Sequence, residues 1–426
     1  MKRSIIILLL VAIISSLSLT YGEKANTVCE SHVLMDYDSM TILDGKEIHK
    51  PMFPASTTKV MTAILALENG ELDDIITVDQ EVVDLTYGSH IALEPGEELV
   101  LRDMLFALLL PSANDAALAI AKHISGSIDD FVQLMNNKAE EIGTQNTNFV
   151  NPNGLHDDNH VTTAYDLALI GRYAMENPEF REFVKTTEYT IPATKIKGEP
   201  RHIYTTNRLL RSTRNIELDA NKVPITYQGA QGVKTGYTEE ASNCLISYAE
   251  RDGQRLIAVV LKSQGAQGVY VDTHKLLNHG FNNFQNVSIG SKNEFIGNVD
   301  ISNGEIALVG GILEDNIVHP MKIEEVDDLD RRINLRSNLD APIKEGEIIG
   351  IVEFYRDDEI LAQGNILSTM DVDAASVLTS STSILDILIS KWYILVIIFI
   401  VLIRISVLIK RRKRRRRRRS SKSLYI

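Results

Sequence analysis

Trp392 to Ile409 is apolar except for Arg404 and Ser406, and the next ten residues, Lys410 to Arg419, are all Lys or Arg. No water-soluble core absorbs such an end. Eighteen residues at ~1.5 Å each make a helix of ~27 Å, close to the hydrocarbon thickness of a bilayer. Arg404 stands less than two turns from the basic run and can snorkel toward it. A basic run can also be a nucleic-acid tail or a nuclear signal. Directly after an apolar span it reads as a stop-transfer signal that contacts anionic lipids, on the cytoplasmic side by the positive-inside rule. At the other end, Met1-Lys2-Arg3 followed by the largely apolar Ser4 to Leu19 has the form of a secretory signal peptide. Its cleavage is expected near residues 22–25, an uncleaved anchor being the alternative. The two ends predict an exported body held by one C-terminal span.

The net charge of −13 hides a segregation: twelve Lys or Arg and no Asp or Glu lie from Arg404 onward, which leaves −25 for residues 1–403. An acidic body of this kind argues against nucleic-acid binding. The two cysteines, Cys29 and Cys244, form no C-x-x-C pattern and no disulfide framework. They read as two buried thiols or, alternatively, as one long-range bridge.

Between the ends the pattern changes twice. Val33-Leu34-Met35 and Thr41-Ile42-Leu43 flank turn residues and predict short strands. Pro51 and Pro54 then break the chain, and a helix is expected over 57–68, stopped by Asn69-Gly70. Further helices are expected over 101–110, 114–124, 128–142 and 164–175, with a break at Pro111-Ser112. A strand begins at Gly232 to Lys234. The apolar runs 244–249 and 256–262 follow, joined by a hairpin turn at Arg251-Asp252-Gly253-Gln254, and a closing helix covers 270–284. Strands, then helices, then strands predict an α/β (α+β) domain whose antiparallel sheet is backed by helices. From about 287 to 372 short apolar runs alternate with turns and predict a small all-β domain. The expected organisation is a signal peptide over 1–23, the α/β domain over 26–284, the β domain over 287–372, a juxtamembrane linker over 373–391, a transmembrane helix over 392–409 and a basic tail over 410–426.

Three short motifs carry the chemistry. Ser56 and Lys59 are three apart and share a helix face, so the amine can reach the hydroxyl. A serine attacks only when something takes its proton, and a lysine does so only when neutral, which burial or a nearby cation can arrange. Ser56 is the only serine in the chain with Lys three residues on. Free N–H groups at the start of that helix place the Ser56 N–H to help form an oxyanion hole. Ser112-Ala113-Asn114 sits at the helix break, where Ser112 can relay a proton and Asn114 can bond both Lys59 and a substrate backbone. The pattern is cheap, since Ser291-Lys292-Asn293 also matches it. Lys234-Thr235-Gly236 suits an edge strand. Lys234 would lower the pKa of Lys59 and attract a carboxylate that Thr235 also binds, Gly236 would admit a substrate backbone, and the Tyr237 N–H would be a second oxyanion donor.

As a set, in this order, the motifs match those of β-lactamases and penicillin-binding proteins. The chain resembles the D-alanyl-D-alanine carboxypeptidases, the low-molecular-weight penicillin-binding proteins. The likeness extends to Pro54-Ala55-Ser56-Thr57-Thr58-Lys59, Leu109-Leu110-Pro111-Ser112-Ala113-Asn114, Asn151-Pro152-Asn153-Gly154-Leu155 and Gly232-Val233-Lys234-Thr235-Gly236-Tyr237-Thr238, and covers about residues 28–284. The resemblance implies a serine hydrolase in which Ser56 attacks the carbonyl between the two terminal D-alanines of a peptidoglycan stem peptide. Lys59 is its base, Ser112 and Asn114 complete the relay, and Lys234 with Thr235 binds the terminal carboxylate. It implies inhibition by β-lactams, no metal, no cofactor, and a place on the outer side of a bacterial cytoplasmic membrane.

One departure stands out. The family often carries an Arg after the third-motif hairpin to fix the substrate carboxylate, and Gln264-Gly265-Ala266-Gln267-Gly268-Val269-Tyr270 has none. Lys262 and Lys275 are the substitutes in range. His156-Asp157-Asp158-Asn159-His160 lacks a helical register for a metal and falls in the family's middle loop. The rival readings are a β-lactamase, for which no segment supplies a deacylating Glu, and a catalytically weak wall-binding or scaffold protein.

Overall fold

The computed structural model describes residues 24–375, apart from 323, 324, 326, 327, 338 and 357, and residues 389–420. The signal-peptide reading over 1–23 and residues 376–388 of the linker lie outside the described residues.

A five-stranded antiparallel sheet organises the first part. Strands β1 (Ser31–Asp36) and β2 (Ile42–Lys46) come first. Helix α1 (Lys59–Asn69) follows a 3₁₀ turn over Ala55–Thr58. Then come the ribbon β3 (Ile75–Thr77) and β4 (Glu98–Val100) around α2 (Gln80–Asp84), and the helices α3 (Leu101–Leu109), α4 (Asn114–Ser125), α5 (Ile128–Ile142), α6 (Ala164–Glu176) and α7 (Pro178–Lys185). Two more ribbons, β5 (Glu188–Ile191) with β6 (Arg201–Tyr204) and β7 (Asn215–Leu218) with β8 (Asn221–Pro224), precede β9 (Ala230–Thr238), β10 (Ser242–Arg251) and β11 (Gln254–Ser263). Helix α8 (Gly265–Asn283) closes this part. The sheet order is β2-β1-β11-β10-β9, which leaves β9 on an edge.

The period of two along the central strands explains their unbroken apolar runs. Val33, Met35, Ile246, Ile257, Val259 and Leu261 enter one core with α1 and α3–α7. Leu34, Leu245, Leu256, Ala258 and Val260 enter a second core with α8. A strand covered on both faces has no polar side to show. Each fully buried Val, Leu or Ile contributes about 1.5–3 kcal/mol. Cys244 lies in the first core and Cys29 in the second, and both are free thiols, so the bridge alternative is not formed.

The expected helices appear within a few residues of their bounds because their ends are written locally. Ser127 caps α5 through Asp130 N–H, and Gly143 ends it at φ +95°. Thr163 caps α6 through Asp166 N–H. Helix α7 was not anticipated, although Asn177-Pro178 is a start signal and the Asn177 side chain accepts from Glu179 and Phe180. The closing helix starts five residues earlier than expected, at Gly265.

The described chain forms two units, one of residues up to 294 with 313–334 and 351–365, the other of 295–312, 335–350 and 366 onward. In the first, β12 (Phe284–Gly290) continues from α8 and pairs antiparallel with Ile317–Lys322, from Phe284↔Lys322 to Gly290↔Ile317. In the second, Phe295–Ser302 pairs antiparallel with Leu308–Leu313 and parallel with Leu339–Asp340. The elements described between Phe284 and Ser368 are strands, as the sequence pattern predicts. Helix α9 (Trp392–Ser420) holds 23 residues, Trp392–Arg414, long and apolar enough to cross a membrane.

Candidate active site

The nucleophile segment is shaped by its own backbone. Pro54 leads into the 3₁₀ turn, Ala55 sits at φ +49°, and the turn passes directly into α1. Ser56 is left half-buried on the turn while Lys59, at the first position of the helix, is fully buried. Lys59 Nζ lies 3.0 Å from Ser56 Oγ, 2.6 Å from Asn114 Oδ1 and 2.5 Å from the Asn153 carbonyl. Two of these three oxygens only accept. A neutral amine has two N–H donors and one lone pair, so it donates to Asn114 and Asn153 and keeps its lone pair for the Ser56 hydroxyl. Burial, reinforced by the nearby Lys234 charge and opposed by Asp115, holds Lys59 well below the usual lysine range. The positive end of α1 acts in the same direction.

Asn114 is oriented by α4 and by the loop before α3. Its Nδ2 donates to the Tyr87 carbonyl at 2.5 Å and its backbone N–H to Ser89 O at 2.7 Å, which turns Oδ1 toward Lys59. Ser112 sits at φ +67° between α3 and α4. Its Oγ is buried and has no hydrogen-bond partner among the described residues, Lys59 included. A buried hydroxyl in that condition is completed by a ligand or by water.

Edge strand β9 supplies the third motif. Lys234 is buried and donates to the Thr235 carbonyl at 3.0 Å, and desolvation alone brings its amine to about 7. Thr235 Oγ1 pairs with Thr206 Oγ1 at 2.7 Å. A Cβ on Gly236 would stand 2.9 Å from Pro54 O and 3.2 Å from both Ala55 Cβ and Ser56 N. Strand and nucleophile turn therefore touch, backbone to backbone, only because this residue is glycine. Gly236→Ala is expected to force them apart by a few tenths of an ångström and to lower kcat/KM by about 10²-fold with little change in Tm. Unaltered kinetics in that variant would refute the close approach.

Sequence reasoning missed several supports. Asn153 O, in the middle segment, fixes Lys59, and Gly154 lies so close that a Cβ would be 2.0 Å from Ala55 O. His160 accepts the Val150 N–H on Nδ1, so Nε2–H donates to Thr58 Oγ1 at 2.8 Å, and burial lowers its pKa to about 4. His156 instead lies near Asp158 with its ring edge-on to Phe53. These side chains brace the middle loop against the 3₁₀ turn and the segment that leads into it. The substitutes for the missing Arg are engaged elsewhere, Lys262 with Glu30 at 3.0 Å and Lys275 with Asn26 O at 2.6 Å. Arg208 is different. Its backbone N–H reaches Tyr270 Oη, which donates to Thr206 O, and its guanidinium acts on that same hydroxyl. No side-chain signal in its surroundings singled it out.

A family model described as D-alanyl-D-alanine carboxypeptidase matches residues 20–265, and a second, for the C-terminal domain of penicillin-binding protein 5, matches residues 284–374. The chain belongs to the D-alanyl-D-alanine carboxypeptidase family. It is 31% identical over 356 residues to the D-alanyl-D-alanine carboxypeptidase DacF of Bacillus subtilis, covering 82% of this chain and 87% of the relative. DacA of Haemophilus influenzae is 30% identical over 358 residues, 82% and 86% of the two chains. Among solved structures, penicillin binding protein 5 from Haemophilus influenzae superposes with a TM-score of 0.69 at 27% identity, over 82% of this chain and 98% of that one. The Streptomyces K15 DD-transpeptidase does so at 0.56 and 31% identity, over 61% and 99%. Like these D-alanyl-D-alanine carboxypeptidases and penicillin-binding proteins, the chain is a serine hydrolase of the family, with the α/β domain and a following β domain.

Proposed function

We propose that this carboxypeptidase cuts the terminal D-alanine from peptidoglycan stem peptides through an acyl-enzyme on Ser56. The observation that carries the assignment of residues is the buried Lys59 amine, with Nζ 3.0 Å from Ser56 Oγ and within hydrogen-bond distance of two pure acceptors, Asn114 Oδ1 and Asn153 O; a neutral amine donating to those two turns its lone pair to Ser56. Lys59 takes the Ser56 proton as Oγ adds to the carbonyl between the two D-alanines. The Ser56 and Tyr237 N–H groups receive the developing oxyanion, a contribution of about 2.7–4 kcal/mol per donor. Ser112 passes the proton to the leaving amine, free D-alanine departs, and water cleaves the ester. Asn114 also holds the substrate backbone, Gly236 lets it lie along β9, and Lys234 with Thr235 takes the terminal carboxylate. That anion raises the Lys234 pKa from about 7 and keeps it charged. Penicillin acylates the same serine. D-alanine release from an acyl-Lys-D-Ala-D-Ala peptide, blocked by penicillin, tests the reading. A short-lived penicillin adduct would favour a β-lactamase instead, and labelling without release from any stem peptide a scaffold.

Arg208 takes the part of the Arg missing from 264–270: its backbone N–H bonds Tyr270 Oη, which donates to the carbonyl of Thr206, whose hydroxyl pairs with Thr235. A charge-assisted hydrogen bond of about 1.5–3 kcal/mol is then at stake. Arg208→Ala is expected to raise KM by about 10- to 100-fold with a smaller effect on kcat. An unchanged KM would leave the carboxylate to Lys234 and Thr235 alone.

The body works outside the cytoplasmic membrane, with α9 as a single span and the basic run 410–419 on anionic lipid inside. The length and hydropathy of Trp392–Arg414 support this. Removal of residues 392–426 should release an active enzyme into the soluble fraction, and persistent sedimentation with membranes would point to an anchor elsewhere.

A further inference from the structure

Asn114 has to keep its Oδ1 on Lys59, yet the loop that aims it has little packing of its own. Residues 87–90, in the connection from α2 to β4, are all exposed. Two of their carbonyls hold Asn114: Tyr87 O accepts from Nδ2 at 2.5 Å and Ser89 O from the backbone N–H at 2.7 Å. Gly88 lies between them at φ +79°, where a Cβ would stand 3.2 Å from Asn114 Nδ2. An exposed loop tip that orients a buried amide has to be fastened at its foot.

The fastening is Asp115, the next residue of α4, which is 1% exposed. Its Oδ2 accepts the Leu93 N–H at 3.0 Å and the Ile91 N–H at 3.1 Å, the latter also lying 3.3 Å from Oδ1. Oδ1 accepts the Ala116 N–H at 2.9 Å. A carboxylate in the first turn of a helix ordinarily serves that helix, and the Ala116 bond is of that kind. The bonds to Ile91 and Leu93 are not, since they tie α4 to chain more than twenty residues earlier. The Ile91 and Leu93 side chains enter the first core, so the foot of the loop is held from both sides. The same carboxylate acts on the base. The charged or titratable groups that act on the Lys59 amine are Lys234 from β9, Asp115 from α4 and His160 from the middle loop, which burial keeps uncharged near neutral pH. Of these three, Asp115 alone favours the protonated amine.

Resting on the reading of Ser56 and Lys59 above, we propose that Asp115 is a positioning residue for acylation: it clasps the 87–93 loop that aims Asn114 at the Lys59 amine, and its negative charge opposes that of Lys234 at the same amine. A loosened clasp lets Asn114 turn away from Lys59, and with it goes one of the two acceptors that point the amine's lone pair at Ser56. A lost charge alters the pH at which the amine is free to act.

The test measures the rate of penicillin acylation against pH in the full-length enzyme and two variants. In Asp115→Asn one oxygen becomes an NH2 group that faces N–H donors, so the clasp opens, and acylation is expected to fall about 10- to 100-fold. Its acid limb moves to lower pH, the direction opposite to that expected of Lys234→Gln, because a charge that favoured the protonated amine is gone. A carboxylate that served only the fold would lower Tm and leave the limb in place. Gly88→Ala crowds Asn114 from the exposed tip and changes no charge, so acylation falls by a similar factor while the limb stays. In the unchanged enzyme the Ile91 and Leu93 amides are expected to exchange their hydrogens slowly, a readout that needs no variant to fold. Fast exchange at both amides, an unchanged rate in either variant, or an unmoved limb in Asp115→Asn overturns the proposal alone. An unchanged enzyme that takes no penicillin and releases no D-alanine overturns the reading of Ser56 and Lys59, and the proposal with it.

Discussion

Ser56→Ala should lose penicillin labelling completely and D-alanine release by about 10⁴-fold or more, because removing one member of a nucleophile–base unit costs nearly as much as removing all of it. The fold should not suffer. Ser56 is half-buried, and its side chain makes one bond, to Lys59 Nζ. No other serine in the chain has a lysine at the required spacing, so nothing replaces the lost hydroxyl. Labelling with a fluorescent penicillin and D-alanine release read the two halves of the claim independently. Labelling that survives in the variant would mean that another residue is acylated.

Lys59→Arg is the sharper test of the base. An arginine keeps the positive charge, the length and the ability to donate to Asn114 Oδ1 and Asn153 O, but it does not deprotonate in a protein. If Lys59 served as a fixed cation, activity would persist at a reduced level. As a base it has no substitute, and acylation should fall by about 10³- to 10⁴-fold. The pH profile carries the same argument. Burial and the Lys234 charge both push the Lys59 pKa down. The active neutral form is therefore lost as pH falls through that lowered value, which sets the acid limb of acylation. Lys234→Gln removes the repulsion and should move the limb to higher pH. A limb that stays in place would show that burial alone tunes the base, and normal acylation by the Arg variant would remove Lys59 from the role.

Cys29 and Cys244 show how far a sequence reaches. Two cysteines allow a bridge, and only the placement of Cys244 on one face of the sheet and Cys29 in the core on the other decided against it. The strands and helices were legible for a local reason. Apolar period, caps such as Ser127 and Thr163, and breakers such as Pro54 act within a few residues. The ribbons β3–β8 were not, because each strand is only three or four residues long, too short to show a period of its own.

The three motifs, their order and the membrane-length apolar end were settled by the residues alone. The motifs are legible because their residue types stand at spacings that a helix and a strand repeat, and a bilayer-length apolar run needs no partner to be recognised. What Lys59 is bonded to was decided by tertiary structure, because Asn114 and Asn153 lie 55 and 94 residues away. So was the contact of Gly236 with the nucleophile turn, and so was the link from Arg208 to Thr235 through Tyr270 and Thr206. A pKa and a close approach are properties of what surrounds a group in space, and sequence neighbours make up little of that surrounding.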